Sequence, residues 1–190
     1  MKKTALIIAL ISISISSFAQ WTLDKGHSKF TFIAEHHGIS EVDGYFKKFD
    51  GKITATKDDL SDAIFDITIE SASINTDLEM RDGHLKGEDM FNVEKFPTIT
   101  FKSTSLKKIS ANKYTMIGDL TIKGITKPAT FDVTMNGPTA HPDPKNKKLQ
   151  LGMKALTIIK RSDFGIGGKL ANVMVGDEIA IRATGEFQKN

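Results

Sequence analysis

The sequence predicts a mainly β protein, in which about eight antiparallel strands close into a barrel and one short helical insert interrupts them. Along most of the chain, apolar and polar residues alternate with a period of two, which is typical of strands with one buried face. Short segments rich in turn-forming residues separate these rows and favour hairpin connections. Residues at about 77–91 have helical spacing instead.

The first 19 residues are predicted to be a secretory signal peptide that is cleaved before Gln20. Two lysines precede an apolar run at 5–15, and small residues at positions 17 and 19 suit a signal peptidase. The run is too short to stay in a membrane, because a spanning helix needs about 20 apolar residues. We therefore expect one domain at 20–190 without a transmembrane segment, exported to the periplasm or outside the cell.

Charge and composition exclude several classes of function. The formal charge is +3, and removal of the two lysines of the signal peptide lowers it to +1. Without a dense basic stripe, the chain lacks the usual electrostatic signature of a nucleic-acid partner. It has no cysteine, which excludes thiol catalysis, thiolate metal sites and disulfides. Its stability must therefore come from an apolar core.

Seven rows of alternating residues predict strands and the faces that they bury. Their apolar members are Phe30, Phe32 and Ala34; Ala63, Phe65, Ile67 and Ile69; Ile99 and Phe101; Tyr114, Met116, Gly118 and Leu120; Ala129, Phe131, Val133 and Met135; Leu149, Leu151, Met153 and Ala155; and Ile179, Ile181, Ala183 and Gly185. Turns are predicted at Asp50-Gly51, at Lys123-Gly124 and in the proline-containing run 136–146.

The helical insert begins with a capping-box pattern. The hydroxyl of Thr76 could accept a hydrogen bond from the amide of Glu79, whose carboxylate would reach back. This pattern predicts a helix at about 77–85, which ends before Gly87.

A second motif, Asp163-Phe164-Gly165, lacks the surroundings of a nucleotide site. We interpret it as a tight corner in which Asp163 accepts hydrogen bonds from backbone amides and Phe164 plugs one end of the barrel.

Neither a metal site nor a nucleophilic site is predicted. The five histidines include no His-x-His or His-x-x-x-His pair, and the adjacent His36 and His37 would point to opposite faces of a strand. Ser28 beside His27, and likewise Ser162, lack the Gly-x-Ser-x-Gly elbow of a hydrolase. We therefore assign no catalytic and no metal-binding residues.

The buried rows combine phenylalanine and methionine with alanine and glycine. Large, flexible side chains beside small ones can line a cavity. The same mixture also packs an ordinary core, so the pattern alone leaves both interpretations open.

Six motifs follow one another along the chain: WTLDKGHSKFTF (21–32), FIAEHHGISEVDGYF (32–46), RDGHLKGEDMF (81–91), FPTITFKST (96–104), GDLTIKGITKP (118–128) and RSDFGIG (161–167). In this order they resemble the YceI-like family, bacterial periplasmic polyisoprenoid-binding proteins. The resemblance implies a lipocalin-like barrel of eight antiparallel strands with a long hydrophobic cavity. It implies an isoprenoid or similar lipid chain in that cavity, with a polar head near the mouth, and neither catalytic residues nor a cofactor besides the lipid.

With this ligand in view, ten ligand-binding candidates are named. The alternation gives eight of them, Phe30, Phe32, Phe65, Ile67, Phe101, Met116, Phe131 and Met153, and the helical insert adds Met90 and Phe91. Arg81, His84 and Arg161 are candidates for contacts to the polar head. The helix and loop at 77–96 are interpreted as a lid. Its inward-facing residues would be Met80, Leu85, Met90, Phe91 and Phe96, while Arg81, Asp82 and His84 would hold it to the barrel.

The leading functional hypothesis is a lipid-binding protein that carries or stores a polyprenyl phosphate or an isoprenoid quinone, or serves a stress response. An enzyme acting on a lipid or small hydrophobic substrate is the alternative, and it requires His27, His36, Asp82 and His84 to converge on the cavity. A scaffold with a filled core is the third. The sequence leaves open whether the protein forms a homodimer.

Overall fold

The computed structural model describes residues 19–168 and 170–190. The predicted signal peptide, apart from Ala19, lies outside the described residues.

Within these residues the chain forms ten strands and one α-helix. In chain order they are β1 (Ala19–His36), β2 (Ser40–Phe46), β3 (Phe49–Ala55), β4 (Ile64–Glu70), β5 (Ile74–Asn75), α1 (Glu79–Lys86), β6 (Thr98–Lys108), β7 (Lys113–Ile122), β8 (Ile125–Ala140), β9 (Leu149–Lys160) and β10 (Val175–Lys189). Two short 3-10 helices, Ser71–Ser73 and Arg161–Phe164, follow β4 and β9.

Eight of these strands close into an antiparallel barrel, as the sequence predicts. The order around the barrel is β1-β3-β4-β6-β7-β8-β9-β10, and β10 pairs again with β1. The two remaining strands, β2 and β5, extend the sheet from the second half of β1. Strand β1 therefore changes partner on one edge, from β3 at residues 19–22 to β2 at residues 30–36.

A wide bulge separates the two halves of β1. Asp24 pairs with Glu186 and Lys29 pairs with Thr184, so four residues of β1 lie opposite Gly185 alone. Such an insertion bends a strand and locally interrupts the hydrogen-bonded ladder. Here it lies on the β1–β10 seam at which the barrel closes.

One end of the barrel is filled with large apolar side chains. Trp21, Ile53, Phe65, Leu151 and Phe187 are fully buried there. The rings of Phe65 and Phe187 meet edge to face with centroids 6.2 Å apart, a favourable geometry for aromatic pairs. This end is therefore a packed core.

The turn prediction at Asp50-Gly51 is wrong, because both residues lie inside β3. A Cβ atom at Gly51 would lie 2.7 Å from Cδ1 of Ile67. Glycine thus allows close packing across the strands. At 47–48 the chain continues in the same direction, because β2 and β3 pair in turn with the two halves of β1; it reverses at 37–39, before β2, and between β3 and β4.

The proline-containing run is only partly a loop, since β8 continues to Ala140 through a register shift after Asn136. The turn at Lys123-Gly124 is confirmed, with positive φ angles of 52° and 74° at its two central residues.

Candidate ligand-binding cavity

An apolar cavity of about 170 Å³ lies inside the barrel. Its wall is built from inward-facing residues of the barrel strands together with the insert that follows β5. Only Thr31, Thr100 and Arg161 among its lining residues have a polar side chain. The cavity is therefore suited to a hydrocarbon group and offers few hydrogen-bonding partners.

All ten ligand-binding candidates from the sequence line this cavity. They are Phe30 and Phe32 on β1, Phe65 and Ile67 on β4, Met90 and Phe91 in the insert, Phe101 on β6, Met116 on β7, Phe131 on β8 and Met153 on β9. Contact between these residues and a ligand stays a prediction. The placement shows that period-two alternation identified the inward faces of these strands correctly.

The cavity is partly occupied by its own aromatic rings. Phe101 and Phe131 meet in a T-shaped pair with centroids 4.9 Å apart, and Phe46 meets Phe91 edge to face at 6.1 Å. Ala155 and Ala183 leave room opposite them. The sequence left open whether the mixed side-chain sizes line a cavity or fill a core. The structure supports both in part, because the aromatic rings pack against one another and space remains beside them.

A buried carboxylate, Asp82, ties the insert to the barrel. Its Oδ1 accepts hydrogen bonds from the amide and the hydroxyl of Thr76 at 2.8 and 2.6 Å, and its Oδ2 accepts one from Nδ2 of Asn75 at 3.2 Å. Burial opposes ionisation, but the bonds from Thr76 and the nearby Lys86 and Arg81 outweigh it and hold the pKa of Asp82 below its ordinary value.

The predicted capping box is therefore wrong. The residue that precedes helix α1 is Leu78, which makes no side-chain cap, and the hydroxyl of Thr76 bonds to Asp82 rather than to the amide of Glu79. The insert is anchored by a side chain within the helix that reaches back to β5. Sequence spacing does not reveal this contact, because a threonine followed by acidic residues suits both a capping box and a hydrogen bond from Thr76 to a carboxylate within the helix.

The inward face of the insert is also narrower than expected. Leu85, Met90 and Phe91 line the cavity, but Met80 is 81% exposed. Met80 is on the opposite side of α1 from the cavity-lining Leu85, and Phe96 packs near Gly124 outside the cavity lining. Three of the five residues predicted to face inward from the lid therefore line the cavity, and Met80 and Phe96 do not.

Two of the three candidates for a polar head contact do not reach the cavity. Nε and Nη2 of Arg81 donate to the hydroxyl and carbonyl of Thr76 at 2.8 and 2.7 Å, which adds to the anchor of the insert. His84 is exposed on α1. Neither residue belongs to the cavity lining.

The third candidate, Arg161, lines the cavity but is engaged in another role. It is only 4% exposed. Its guanidinium donates to five backbone carbonyls and one side-chain oxygen, those of Ile166, Gly167, Leu170, Asn172, Val175 and Gly176, at 2.9–3.1 Å. Arg161 therefore holds the segment between β9 and β10 in place.

The corner at 161–165 differs from its predicted form in one respect. Phe164 is buried as expected, but the carboxylate that accepts from the backbone is Asp177. Its two oxygens receive the amide and the hydroxyl of Ser162 at 3.0 and 2.8 Å, and these bonds lower the pKa of Asp177. Asp163 is exposed.

The insert and this second segment meet over the cavity. The amide of Gly167 donates to the carbonyl of Asp89 at 2.8 Å. Ile166 and Val175 join Met90 in the cavity lining. Two segments, held by Asp82 and by Arg161, thus form the cover of one end of the barrel.

The groups that the enzyme hypothesis requires do not converge on the cavity. His27 and His36 are exposed, Asp82 is bonded to Thr76, and His84 lies on the outer side of α1. None of these four residues is part of the cavity lining. The arrangement therefore lacks the acid–base constellation on which that hypothesis depended.

These features define a closed antiparallel barrel with an internal apolar site covered at one end. In the described part of the chain, no helix has the length and apolar character that crossing a membrane requires.

The chain belongs to the family of proteins with a YceI-like domain, whose family model matches residues 21–187. A UPF0312 protein of Staphylococcus aureus strain N315 is 37% identical over 171 residues, which cover 88% of this chain and 96% of that protein.

Solved structures show the same fold. Burkholderia cenocepacia BcnA has a TM-score of 0.76 and 26% identity, covering 86% of this chain and 98% of its own. The Campylobacter jejuni YCEI protein has a TM-score of 0.71 and 27% identity, covering 100% and 99%. A polyisoprenoid binding domain from Saccharophagus degradans has a TM-score of 0.66 at 12% identity over 90% of this chain and 98% of its own, a likeness of fold alone.

Proposed function

We propose that this protein binds a lipid with a long apolar chain, such as a polyprenyl phosphate or an isoprenoid quinone, inside the barrel. The observation that carries this proposal is the lining of the cavity, which is apolar apart from two threonines and one arginine already bonded to backbone. Each CH₂ group that leaves water for such a site contributes roughly 0.8 kcal/mol. A few isoprene units can therefore be held without ion pairing.

The comparisons support this class of ligand. The chain shares the fold of the polyisoprenoid binding domain from Saccharophagus degradans, and it belongs to the YceI-like family. Carriage or storage of the lipid after export from the cytoplasm fits the predicted signal peptide and completes the proposal.

The ligand must enter a cavity that its own rings partly fill. Three methionines, Met90, Met116 and Met153, lie on the wall, and their unbranched side chains can adopt several rotamers at small cost. We therefore expect the cavity to widen by rearrangement of these side chains rather than by movement of the barrel strands, which are paired around the complete ring.

Native mass spectrometry of the protein purified after export from a bacterial host tests the proposal. The test variant is Ala183→Phe, which adds a ring to the cavity wall, and the matched control is Ala180→Phe on the outer face of the same strand. We expect a lipid-sized extra mass, extractable into organic solvent, on the unmodified protein and on the control but not on Ala183→Phe.

Circular dichroism must show that all three proteins are folded. The proposal fails if the unmodified protein stays bare after incubation with polyprenyl phosphates and quinones. It also fails if folded Ala183→Phe retains the same mass as the control.

A further inference from the structure

Three side chains with metal-ligating atoms meet on the wall of the barrel, away from the cavity. They are Asp24, His27 and Glu186, and one ligand atom of each lies within 4.8 Å of the others. The bulge in β1 turns His27 back so that its Nδ1 is 3.0 Å from Oδ2 of Asp24. The carboxylate of Asp24 is oriented by the amide of Gly26, which donates to its other oxygen at 2.9 Å.

The two carboxylates form a like-charged pair across the β1–β10 seam. Asp24 and Glu186 are direct partners in the ladder, and like charges placed opposite each other destabilise a sheet. Among the described residues, neither carboxylate forms an ion pair with a lysine or arginine nitrogen within 4.0 Å. Lys25 pairs with Asp50, and Lys29 lies over a tyrosine ring. A cation bound between the carboxylates would remove this repulsion.

We propose that Asp24, His27 and Glu186 bind a divalent transition-metal ion of the zinc class. An imidazole nitrogen with carboxylate oxygens is a donor set that zinc accepts, whereas calcium and magnesium prefer oxygen ligands alone. In tetrahedral geometry, bonds of about 2.0–2.2 Å to zinc place its ligand atoms roughly 3.3–3.6 Å apart. The Asp24–His27 pair is already near that separation, and a rotation of the Glu186 side chain brings in the third ligand.

A fourth protein ligand is within reach. Nε2 of Gln188 lies 3.5 Å from Oδ2 of Asp24. A half-turn of the Gln188 side-chain amide would exchange its nitrogen and oxygen and place the oxygen, which can bind a metal ion, beside Asp24. Water completes the coordination otherwise, because His27 is largely exposed.

The bound ion would connect the two strands at the point where the bulge interrupts their ladder. Asp24 and His27 belong to β1, and Glu186 belongs to β10. A ligand that binds the folded state and not the unfolded chain stabilises the fold, and this stabilisation grows with the logarithm of the free ligand concentration above its Kd. The ion therefore fastens the seam of the barrel, independently of any lipid inside it.

Isothermal titration of the untagged, chelator-treated protein with Zn²⁺ tests the proposal. We expect saturable binding of one ion, unaffected by excess Mg²⁺, and a melting temperature that rises with the Zn²⁺ concentration. His27→Gln and Glu186→Gln should each weaken binding by at least about tenfold. His141→Gln, which changes a half-buried histidine in the loop between β8 and β9, is the matched control and should bind as the unmodified protein does.

Nuclear magnetic resonance of the imidazole nitrogens supplies a second readout that does not depend on stability. Zn²⁺ should shift the ring signals of His27 before those of the other histidines. Absence of saturable binding would overturn the proposal. Equal weakening by His141→Gln, or first shifts at His36 and His37, would do so too, since the ion would then bind surface histidines without this site.

Discussion

Replacement of Asp82 by Asn removes the charge that anchors the insert and keeps the shape of the side chain. The oxygen of the new amide can still accept from the amide and hydroxyl of Thr76. Its NH₂ group would then face the donor Nδ2 of Asn75, which now bonds to the carboxylate. A half-turn of the Asn75 amide brings its unpartnered Oδ1 to that NH₂ group instead. The variant thus weakens the two bonds from Thr76 and replaces the third with a neutral bond.

The expected magnitude follows from these contacts. Hydrogen bonds to a charged group contribute about 1.5–3 kcal/mol each, against about 0.5–1.5 kcal/mol for neutral pairs. Weakening two of them in Asp82→Asn should cost about 1–3 kcal/mol of local stability in the insert. Because 1.4 kcal/mol corresponds to a tenfold change in an equilibrium, amides of α1 should exchange with solvent roughly 5- to 150-fold faster.

Hydrogen exchange measured by mass spectrometry on peptides covering 76–97 is the assay. The matched control is Asp77→Asn, because Asp77 is exposed and has a φ of 60°, a conformation that Asn also adopts readily. We expect the control to exchange as the unmodified protein does, with the barrel strands unaffected in both variants. If Asp82→Asn exchanged no faster than Asp77→Asn, the carboxylate would not be what holds the insert.

Acidification should reproduce the effect in the unmodified protein. The pKa of Asp82 is lower in the folded protein than its ordinary value, so ionised Asp82 stabilises the insert fully above the unfolded pKa of about 3.9. This contribution is lost as the pH falls through the lower, folded value. Exchange in α1, corrected for its intrinsic pH dependence, should therefore accelerate below about pH 4 in the unmodified protein and change less in Asp82→Asn.

Two further substitutions test the packing of the barrel and its cover. Gly118→Ala places a Cβ atom against the carbonyl of Lys102 in the neighbouring strand and should lower the free energy of unfolding, measured with denaturant, by about 1–3 kcal/mol. The control Gly83→Ala places its Cβ atom in open space and should leave stability unchanged or raise it. Equal losses of stability in the two variants would contradict this account. Arg161→Met leaves carbonyls of the segment 165–176 without their hydrogen-bond donor and should lower the free energy of unfolding by at least about 3 kcal/mol. It should also make that segment susceptible to limited proteolysis. Resistance to the protease equal to that of the unmodified protein would show that the guanidinium does not hold the segment.

The barrel and its inward faces could be predicted from the sequence because one physical rule governs both. A strand that buries one face must alternate apolar and polar residues along its length. Residues two apart, such as Phe65 and Ile67, then share one face, and that face can only be the interior of the barrel. The same rule would have found Ile179 and Ile181, which line the cavity on β10. They were predicted to be buried, although they were not chosen as ligand contacts.

The errors occur where residue type allows more than one geometry. Asp50-Gly51 has the composition of a turn, but Gly51 is required by the close approach of Ile67. Thr76 can cap a helix or bind Asp82, and only the path of the chain after β5 decides between the two. The Asp24–Glu186 pair was invisible for a related reason, since its members are joined by the closure of the barrel rather than by proximity in sequence.

The insert is rich in charged residues, and the structure explains several of them by the contacts that hold it to its neighbours. A short helix with one narrow apolar face contributes little burial of its own and needs polar contacts to stay on the barrel. Asp82 and Arg81 supply them through Thr76 on one side. On the other side the amide of Gly167 donates to the carbonyl of Asp89, and Arg161 holds the segment of Gly167 in place through six oxygens. Because the five N–H donors of a guanidinium are all engaged there, a lipid head could bind Arg161 only by displacing bonds that hold the cover closed. Selectivity must therefore arise mainly from the shape of the apolar wall, and we expect affinity to follow the length of the lipid chain more closely than the charge of its head.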